Sequence, residues 1–443
     1  MDRRNEKYRQ AAIIAQNALK FVITELHRGI GEVSIAELCA RGDNYIIDAA
    51  KTCFTKVEEK GIARPVEICK NDFSSGVSPE ETDKFQGGII MPEDIVKVTL
   101  GVHIDGYTVL AGHTVIVSDT PPNDVQSPYT GPSADAVIGA YLATEAVVGI
   151  LSATLSENHP LHQEVHGGKI REIVNEIAAA YDLAVVPGSK VRRIKRFVVG
   201  QSTVQDGMPV VEWRPQGQPD HAALQAEKEM DAEFVIKPDH TYLIDIQMVS
   251  TEGVPGFVKL NETTMIGNVA INPTIYTRNH VVNYSLRTQS ARVLLGTVDK
   301  ALSVFSFKLS EIPGLKINQA KLGLNECLQR HLIVAEPILK TVYCPNSRPK
   351  DSKPVSSARE VCTVSLISGV KSTSGYPELV RLSGGKRFPP SWTHSVHSIK
   401  PSLAASALES RINGDSSFKY IEVKPSSGRI MPNEPVDDMD LEM

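Results

Sequence analysis

The sequence lacks the features that mark a secreted, membrane-spanning or strongly charged protein. Its 443 residues include six cysteines, and none of them forms a CxxC pair. Scattered cysteines in a chain of this length predict reduced thiols rather than a disulfide framework. There is no run of eighteen apolar residues, so no membrane-spanning helix is predicted. The net charge of -5 argues against general affinity for nucleic acid but is compatible with a local basic patch.

The remaining composition is that of an ordinary globular chain. Apolar residues make up 41% of it and charged residues 22%. A chain of this length can bury a large core. Its first residues lead directly into an amphipathic segment without an apolar stretch, so we predict no secretory signal and expect the protein in the cytosol or nucleus.

Apolar spacing predicts two pairs of helices, each followed by strands. The predicted helices cover residues 8–27, 35–55, 133–151 and 170–181, and a capping box from Ser34 to Glu37 opens the second. The predicted strands cover residues 95–117 as a hairpin, 183–186, 196–200 and 242–249. The repeated order predicts an α/β (α+β) protein with two similar halves around one sheet.

The hairpin at residues 95–117 has the most informative pattern. Apolar residues alternate with polar ones up to Asp105-Gly106, a strong signal for a two-residue turn. Counting back from that turn places Gly101 opposite Leu110. Because cross-strand partners share a face, Thr99 and Leu110 should point to the same side of the sheet.

Three segments lack such patterns and are predicted to be irregular, and the last of them to be disordered. They are the polar stretch 201–232, the proline- and lysine-rich stretch 344–357 and the acidic tail 425–443. We therefore expect a main domain over residues 1–370, with the first two segments as insertions. A C-terminal extension over 371–424 should pack on or beside it, followed by the disordered tail.

The hairpin residues Val96–Tyr107 resemble the central hairpin of the methionine aminopeptidase-like family. The resemblance implies a pita-bread fold, in which two pseudo-symmetric halves surround a curved antiparallel sheet. In the enzymes of this family, two metal ions share five protein ligands. Two are aspartates of this hairpin, one is a histidine, and two are glutamates from later strands.

Most of that ligand set is absent when it is carried onto this sequence. The five positions fall on Thr99, on Leu110, within the histidine-free stretch 187–201, on Asp245, and on Val361 or, with a slip of one residue, Glu360. The histidine that handles substrate in the enzymes falls near Asp72. Divalent metals need carboxylate or imidazole ligands, and peptide hydrolysis in this family needs the metals. The resemblance therefore implies no metal, no other cofactor and no catalytic residue.

A second resemblance is to a non-catalytic branch, the fungal family of proteins associated with the ribosomal export complex. It rests on Val186–Phe197, Gly323–Glu326, Pro377–Gly385 and Pro390–His394. It implies a factor that binds the precursor of the large ribosomal subunit near the polypeptide tunnel exit and travels with it between nucleus and cytoplasm. The implied partners are ribosomal RNA, tunnel-exit ribosomal proteins, phenylalanine-glycine repeats of the nuclear pore and a small basic protein, with no membrane.

Residues 190–196 are the predicted contacts to RNA. The basic residues of this stretch are Lys190, Arg192, Arg193, Lys195 and Arg196. Such a strip can bind phosphates through charge without reading bases. A solvated basic face or a localisation signal is the alternative. The apolar residues that follow predict a rigid anchor in the sheet.

Two histidine pairs are weaker candidates for a metal site. His162 and His166 lie four residues apart, but no glutamate follows the first histidine as in zinc peptidase helices. His394 and His397 follow a tryptophan and are expected in a polar surface loop.

Two other functions compete with ribosome binding. One is an active metallo-aminopeptidase or metalloprotease, against which the missing ligands argue. The other is a nucleic-acid-binding regulator of the ErbB-binding-protein type, a more distant resemblance. The basic strip fits docking on a ribosome at least as well as it fits such a regulator.

Overall fold

The computed structural model describes residues 3–118, 128–155, 165–198, 208–215, 221–266, 268–302, 304–347, 349–372, 375–412, 421–424 and 427–430. Its α-helices are α1 (Arg3–Arg28), α2 (Ile35–Thr52), α3 (Pro132–Ala153), α4 (Gly167–Ala180), α5 (His221–Glu233), α6 (Gln289–Ala301), α7 (Ile317–Gln329) and α8 (Leu403–Ile412).

Its strands are β1 (Lys60–Lys70), β2 (Phe73–Ser75), β3 (Ile95–Ile104), β4 (Tyr107–Ile116), β5 (Leu183–Val185), β6 (Lys190–Ile194), β7 (Val210–Glu212), β8 (Thr241–Ser250), β9 (Gly256–Glu262), β10 (Met265–Ile266), β11 (Val269–Ala270), β12 (Tyr276–Arg278), β13 (Ile333–Ala335), β14 (Leu339–Pro345), β15 (Lys353–Pro354), β16 (Ser357–Ile367), β17 (Glu378–Arg381), β18 (Ile421–Lys424) and β19 (Ser427–Ile430).

A nine-stranded antiparallel sheet organises the chain. Its order is β1-β3-β4-β16-β8-β6-β7, with β17 beside β16 and β5 beside β8. Helices α1 and α2 cover the half formed by β1, β3 and β4, and α3 and α4 cover the other half. Between the halves, the ladder of β4 and β16 contains one residue pair, Gly112 with Val361, and side-chain hydrogen bonds such as that from Thr363 Oγ1 to the carbonyl of Leu110 join the rest of the two strands. The predicted fold class, two similar halves around one antiparallel sheet, is confirmed.

Local sequence signals account for the hairpin and for the start of α2. The hairpin pairs Gly101 with Leu110, as predicted. Asp105 and Gly106 have φ angles of 53° and 76°, which a two-residue turn of this kind requires. Ser34 Oγ accepts a hydrogen bond from the backbone N–H of Glu37 at 3.3 Å, as a capping residue should.

Helix α3 is the core helix of the second half. Among the described residues, it alone is long and apolar enough to cross a membrane, judged by length and composition. Nearly all of its apolar stretch is buried, under β8, β16, α4 and α8. A helix that is apolar on all sides is expected in such a position.

A smaller unit projects from the main sheet. Helices α6 and α7 pack with β12 and β13 around their own apolar core. Strand β14 leads back from this unit and pairs with β2, β9 and β15. Lys308 Nζ lies 3.0 Å from a carboxylate oxygen of Asp43 on α2, and both side chains are buried. This ion pair joins the projecting unit to the first half.

Three local predictions were wrong. The segment 201–232 contains β7 and most of α5. The polar composition of α5 is that of a surface helix. Arg171 fixes this helix to α4 by donating a hydrogen bond to Asp231 at 3.0 Å. The segment 344–357 contains β15 and the end of β14. Residues 196–198 are not a strand, because the chain turns back at Phe197, whose φ is 58°.

One strand of the C-terminal extension belongs to the main sheet. Strand β17 pairs with β16, and Arg381 donates to Glu145 on α3 at 2.7 Å. Ser383 Oγ donates to the carbonyl of Leu110 at 2.7 Å and accepts from the N–H of Thr363 at 2.8 Å, which closes the gap between β4 and β16. Disorder from residue 425 onward was wrong for residues 427–430, because β19 pairs with β18. Residues 431–443 lie outside the described residues.

Candidate functional site

A cavity of about 510 Å³ opens on the sheet face opposite the helices, between the sheet and the projecting unit. Its wall includes the predicted ligand positions Thr99, Leu110, Asp245 and Val361 and the charged residues Arg64, Lys190, Arg278, Glu336 and Arg359. Strand pairing explains the convergence, since Asp245 is the cross-strand partner of Val361 on β16. A Cβ placed on Gly112 would lie 2.7 Å from Thr99 Cγ2 and 2.9 Å from Val361 Cγ2, so these two side chains meet over that glycine.

Apolar side chains fill part of the space where ligands would converge. Leu110 packs with Ile194, Leu243 and Val361. The hydroxyl of Thr99 is buried and has no hydrogen-bond partner among the described residues. One neutral hydroxyl among aliphatic side chains is a poor site for a divalent cation.

The alternative ligand position, Glu360, points away from the cavity. Its carboxylate lies 3.0 Å from Nδ1 of His113 and accepts from the N–H of Thr114 at 3.2 Å. Neighbouring residues of a strand face opposite sides, so Val361 occupies the cavity face and Glu360 the helix face. The slip of one residue therefore does not supply a carboxylate to the cavity.

The carboxylate of Asp245 is bound through both of its oxygens by Arg359. Nε of Arg359 donates to Oδ1 at 2.7 Å, and Nη2 donates to Oδ2 at 2.8 Å. Such a bidentate pair uses both carboxylate oxygens in one plane. Burial raises the pKa of Asp245, but the Arg359 guanidinium outweighs that effect and the pKa lies below its usual value. Asp245 is therefore an anion neutralised by a protein cation.

The ion pair continues into a buried network. Arg64 Nη2 lies 2.6 Å from Glu67 and 3.0 Å from Glu336, and Arg359 Nη1 lies 3.9 Å from Glu67. Despite burial, which raises it, the pKa of Glu67 is lowered by Arg64 and Arg359. Two irregularities in β1 place Arg64 opposite Gly101 and Glu67 opposite Thr99, so both lie on the cavity side of the sheet, where Arg64 lines the cavity and Glu67 is buried behind it.

The residues present do not fit the metal pair of the aminopeptidases. Within the part of the chain that the structure describes, no three His, Cys, Asp or Glu side chains are grouped so that they could hold a metal ion. The acidic side chains at the cavity, Asp245, Glu67 and Glu336, each bind a guanidinium. Positive charge is thus supplied by Arg64 and Arg359, where the enzymes use metals.

The strip at 190–196 is not a continuous surface, contrary to prediction. Strand β6 turns Lys190 and Arg192 to the cavity side, where Lys190 faces Asp245 across the strands and Arg192 is only 1% exposed. Arg193 is half-buried, and Lys195 and Arg196 are exposed beyond the end of the strand. Successive side chains of a strand point to opposite faces, so basic residues that are adjacent in the sequence do not form one surface. Arg192 is therefore not available to RNA.

The other candidate residues lie apart from the cavity. His166 caps α4 by accepting the N–H of Gly168, and residues 162–164 lie outside the described residues. His397 Nε2 lies 4.0 Å from Asp135 on α3, and the backbone N–H of His394 donates to Tyr129. Asp72 pairs with a lysine of β14 and does not line the cavity.

Sequence reasoning missed the arginines that define the cavity. Arg359 lies two residues before Val361 and hence on the same face, which alternation alone could have indicated. The partners of Arg64 could not be found in this way, because the irregular pairing of β1 changes which of its side chains point to the cavity side of the sheet.

No protein-family model matches this chain. A curated protein of Yarrowia lipolytica named "Probable metalloprotease ARX1" is 34% identical over 434 residues, which cover 89% of this chain and 88% of that protein. A protein of the same name from Debaryomyces hansenii is 33% identical with the same coverage. "Proliferation-associated protein A" of Dictyostelium discoideum is 30% identical and covers 75% of this chain and 74% of its own length.

A solved structure described as "Structure of a thermophilic Arx1" matches with a TM-score of 0.68 and 17% identity. The match covers 92% of this chain and 98% of that one. At this identity the structural likeness speaks for the fold alone. The curated relatives match over nearly the whole chain and identify the family. The chain therefore belongs to the ARX1 family and has its methionine aminopeptidase-like pita-bread fold.

Proposed function

We propose that this chain is a non-catalytic ribosome biogenesis factor that binds the precursor of the large ribosomal subunit near the polypeptide tunnel exit. The observation that carries the non-catalytic part is the bidentate pair between Arg359 and Asp245. It consumes the one carboxylate that remains of the aminopeptidase ligand set. Thr99, Leu110 and Val361 occupy the other positions on the cavity wall.

Peptide hydrolysis in this fold depends on metal-bound hydroxide, which a protein cation cannot generate. Relatives in the family carry the name metalloprotease. The donor set of this chain speaks against that activity, because the Arg359 guanidinium neutralises the one remaining carboxylate and Thr99, Leu110 and Val361 add no anionic ligand. The cavity wall then has a structural role, and the chain binds its partners through its outer surfaces.

The ribosomal part of the proposal rests on the resemblance of the conspicuous motifs to export-complex proteins. Proposed partners are ribosomal RNA and tunnel-exit ribosomal proteins, with phenylalanine-glycine repeats of the nuclear pore during export. The net charge of -5 suits a small basic partner protein. Shuttling between nucleus and cytoplasm follows from such a route.

Sucrose-gradient sedimentation tests the proposal. The tagged full chain, expressed in fungal cells, should sediment with large-subunit precursors at low salt and be partly released at high salt. A chain that remains at the top of the gradient at low salt, while ribosomal precursors are intact, would overturn the ribosomal proposal. Purified subunits mixed with the pure chain provide the matching direct assay.

A further inference from the structure

Cations from three separate parts of the sequence meet at one end of the main sheet. They are Arg4 and Lys7 at the start of α1, Arg193, Lys195 and Arg196 at and beyond the end of β6, and Lys237 just before β8. We call this set the hairpin-tip patch, because it surrounds the turn between β3 and β4. The sequence does not show this set, since α1 ends at Arg28 and β6 begins only at Lys190.

Asp105 at the turn holds two of these cations in place. Lys7 Nζ and the Arg196 guanidinium both form ion pairs with its carboxylate. Nε of Arg196 also donates to the backbone carbonyl of Asp105 at 2.9 Å. Both cations lie over the ring of Tyr107, at 5.6 Å and 5.8 Å from its centroid. One carboxylate thus orients two cations, which leaves positive charge in excess on a rigid support.

Three further cations of the patch, Arg4, Arg193 and Lys237, lie near the start of β8. Arg4 Nη2 donates to Thr241 Oγ1 at 3.4 Å, which fixes the start of α1 beside β8. Burial lowers the pKa of His240, and Arg193, Arg4 and Lys237 lower it further, to about 4. Strand pairing places Arg193 opposite Tyr242, and the backbone N–H of Lys237 donates to the Tyr242 hydroxyl at 2.8 Å, so both cations lie near the start of β8.

The acidic residues near the patch do not cancel its charge. Asp105 is shared by two cations, and Asp239 is bound by Lys371 at 3.1 Å. Glu59 is close enough to raise the pKa of Arg196, after the larger effect of Asp105. Lys195 and Lys237 are exposed. A positive region on a chain with a net charge of -5 is local, as a specific docking surface requires.

We infer that the hairpin-tip patch binds the sugar-phosphate backbone of ribosomal RNA without reading its bases. This inference rests on the proposed function and gives it a contact surface. RNA is favoured over an acidic protein segment because the cations are spread over a helix start and two strand ends. Tyr107 and Phe197 beneath them are half-buried, so they offer no open groove for peptide side chains. Arginine suits paired contacts to phosphate oxygens.

Charge reversal of the two exposed lysines provides the test. The variant Lys195→Glu with Lys237→Glu removes no ion pair found in the described residues and should fold normally, since exposed charge changes cost little stability. The matched control, Lys84→Glu with Lys300→Glu, makes the same change in net charge at two exposed lysines that do not belong to the hairpin-tip patch. Thermal unfolding of both variants checks the fold.

The first measurement is fluorescence anisotropy with a labelled RNA duplex between about 50 and 200 mM salt. We expect the patch variant to bind about tenfold more weakly or worse, with a salt dependence reduced by about two phosphate contacts. The control variant should bind like wild type. Equal binding by the patch variant overturns the inference. Polyglutamate serves as a model of an acidic protein segment. If the patch variant loses binding to polyglutamate but keeps binding to RNA, the inference is also overturned, and the patch binds an acidic protein instead.

The second measurement separates this inference from the proposed function. If wild type sediments with large-subunit precursors and the patch variant sediments equally well, the patch is not the contact surface, while ribosome binding stands. If wild type does not sediment with them, the ribosomal proposal fails. The duplex RNA assay then still tests phosphate binding at the patch by itself.

Discussion

Arg359 donates one hydrogen bond to each carboxylate oxygen of Asp245, at 2.7 Å and 2.8 Å. Asp245 stands on β8 and Arg359 two residues before its cross-strand partner on β16, so the pair is diagonal on one face of the sheet. In the enzymes that the hairpin resembles, a metal ligand occupies the position of Asp245. Here a guanidinium supplies the positive charge beside that position.

Metal content is the most direct prediction from this pair. Purified chain dialysed against cobalt, manganese or zinc and then freed of loose ions should retain well under one ion per molecule by elemental analysis. Thr99, Leu110 and Val361 offer no anionic ligand, and Arg359 blocks the remaining one. Retention of one or two ions that Asp245→Ala abolishes would contradict the prediction.

Peptidase activity should be absent even when metal is supplied. The pure chain, incubated with peptides that begin with methionine and with added cobalt or manganese, should release no methionine above buffer. A methionine aminopeptidase assayed alongside shows that the conditions are adequate. Metal-dependent release that disappears in Asp245→Ala would instead assign activity to this cavity.

Removal of Arg359 should be costly for stability. Arg359→Ala leaves the buried Asp245 without its two hydrogen bonds from the guanidinium, with Lys190 across the strands as a nearby cation, and broken buried pairs cost about 3–5 kcal/mol. Arg359→Lys should recover part of the loss, because a lysine keeps the charge but not the paired geometry. Urea unfolding measures the free energy of unfolding. The control Arg28→Ala breaks an exposed pair with Glu25 and should change it by about 0.5 kcal/mol or less.

Replacing both Asp245 and Arg359 gives a second test of how much this ion pair contributes to stability. Asp245→Leu with Arg359→Met leaves no unpaired charge between these two positions, so it should be less destabilising than Arg359→Ala alone. A double variant that is as unstable as the sum of the single ones would mean that the pair is not coupled.

His103 should make the stability depend on pH. It stacks on Phe305 with ring centroids 3.8 Å apart, and burial, opposed weakly by Asp105, lowers its pKa to about 3. The unfolded chain takes up this proton near pH 6.5. The free energy of unfolding should therefore fall as the pH drops from about 6.5 towards 3, by at most about 1.4 kcal/mol per pH unit from this group. Above pH 6.5 this group should have no effect.

His103→Phe should remove this contribution. Urea unfolding at pH 7 and pH 4 should show a smaller loss of stability for the variant than for wild type. The exposed His331 lies at a positive φ of 55°, where asparagine is tolerated, so His331→Asn is a suitable control with the wild-type dependence. An unchanged pH dependence in His103→Phe would show that His103 is not buried in its neutral form.

The hairpin shows how far local sequence can reach. Its alternation and the Asp105-Gly106 turn determined the register, and the register put Thr99 and Leu110 on one face. The same reasoning failed for the basic strip, because β6 is covered on its cavity face and Arg192 lies inside. Alternation says which residues share a side but not what packs over that side.

The amino-acid sequence by itself determined the two-halved fold, the register of the hairpin and the loss of the metal ligands, because these depend on local periodicity, a turn and residue identity. Only the tertiary structure decided which charges meet. Irregular pairing in β1 turns Arg64 and Glu67 to the same face, and the pairing of β16 with β8 brings Arg359 to Asp245. The packing of α1 against β3 and β4 brings Lys7 to Asp105. Such contacts join residues far apart in the chain, and strand pairing and helix packing, not local preference, set their distance.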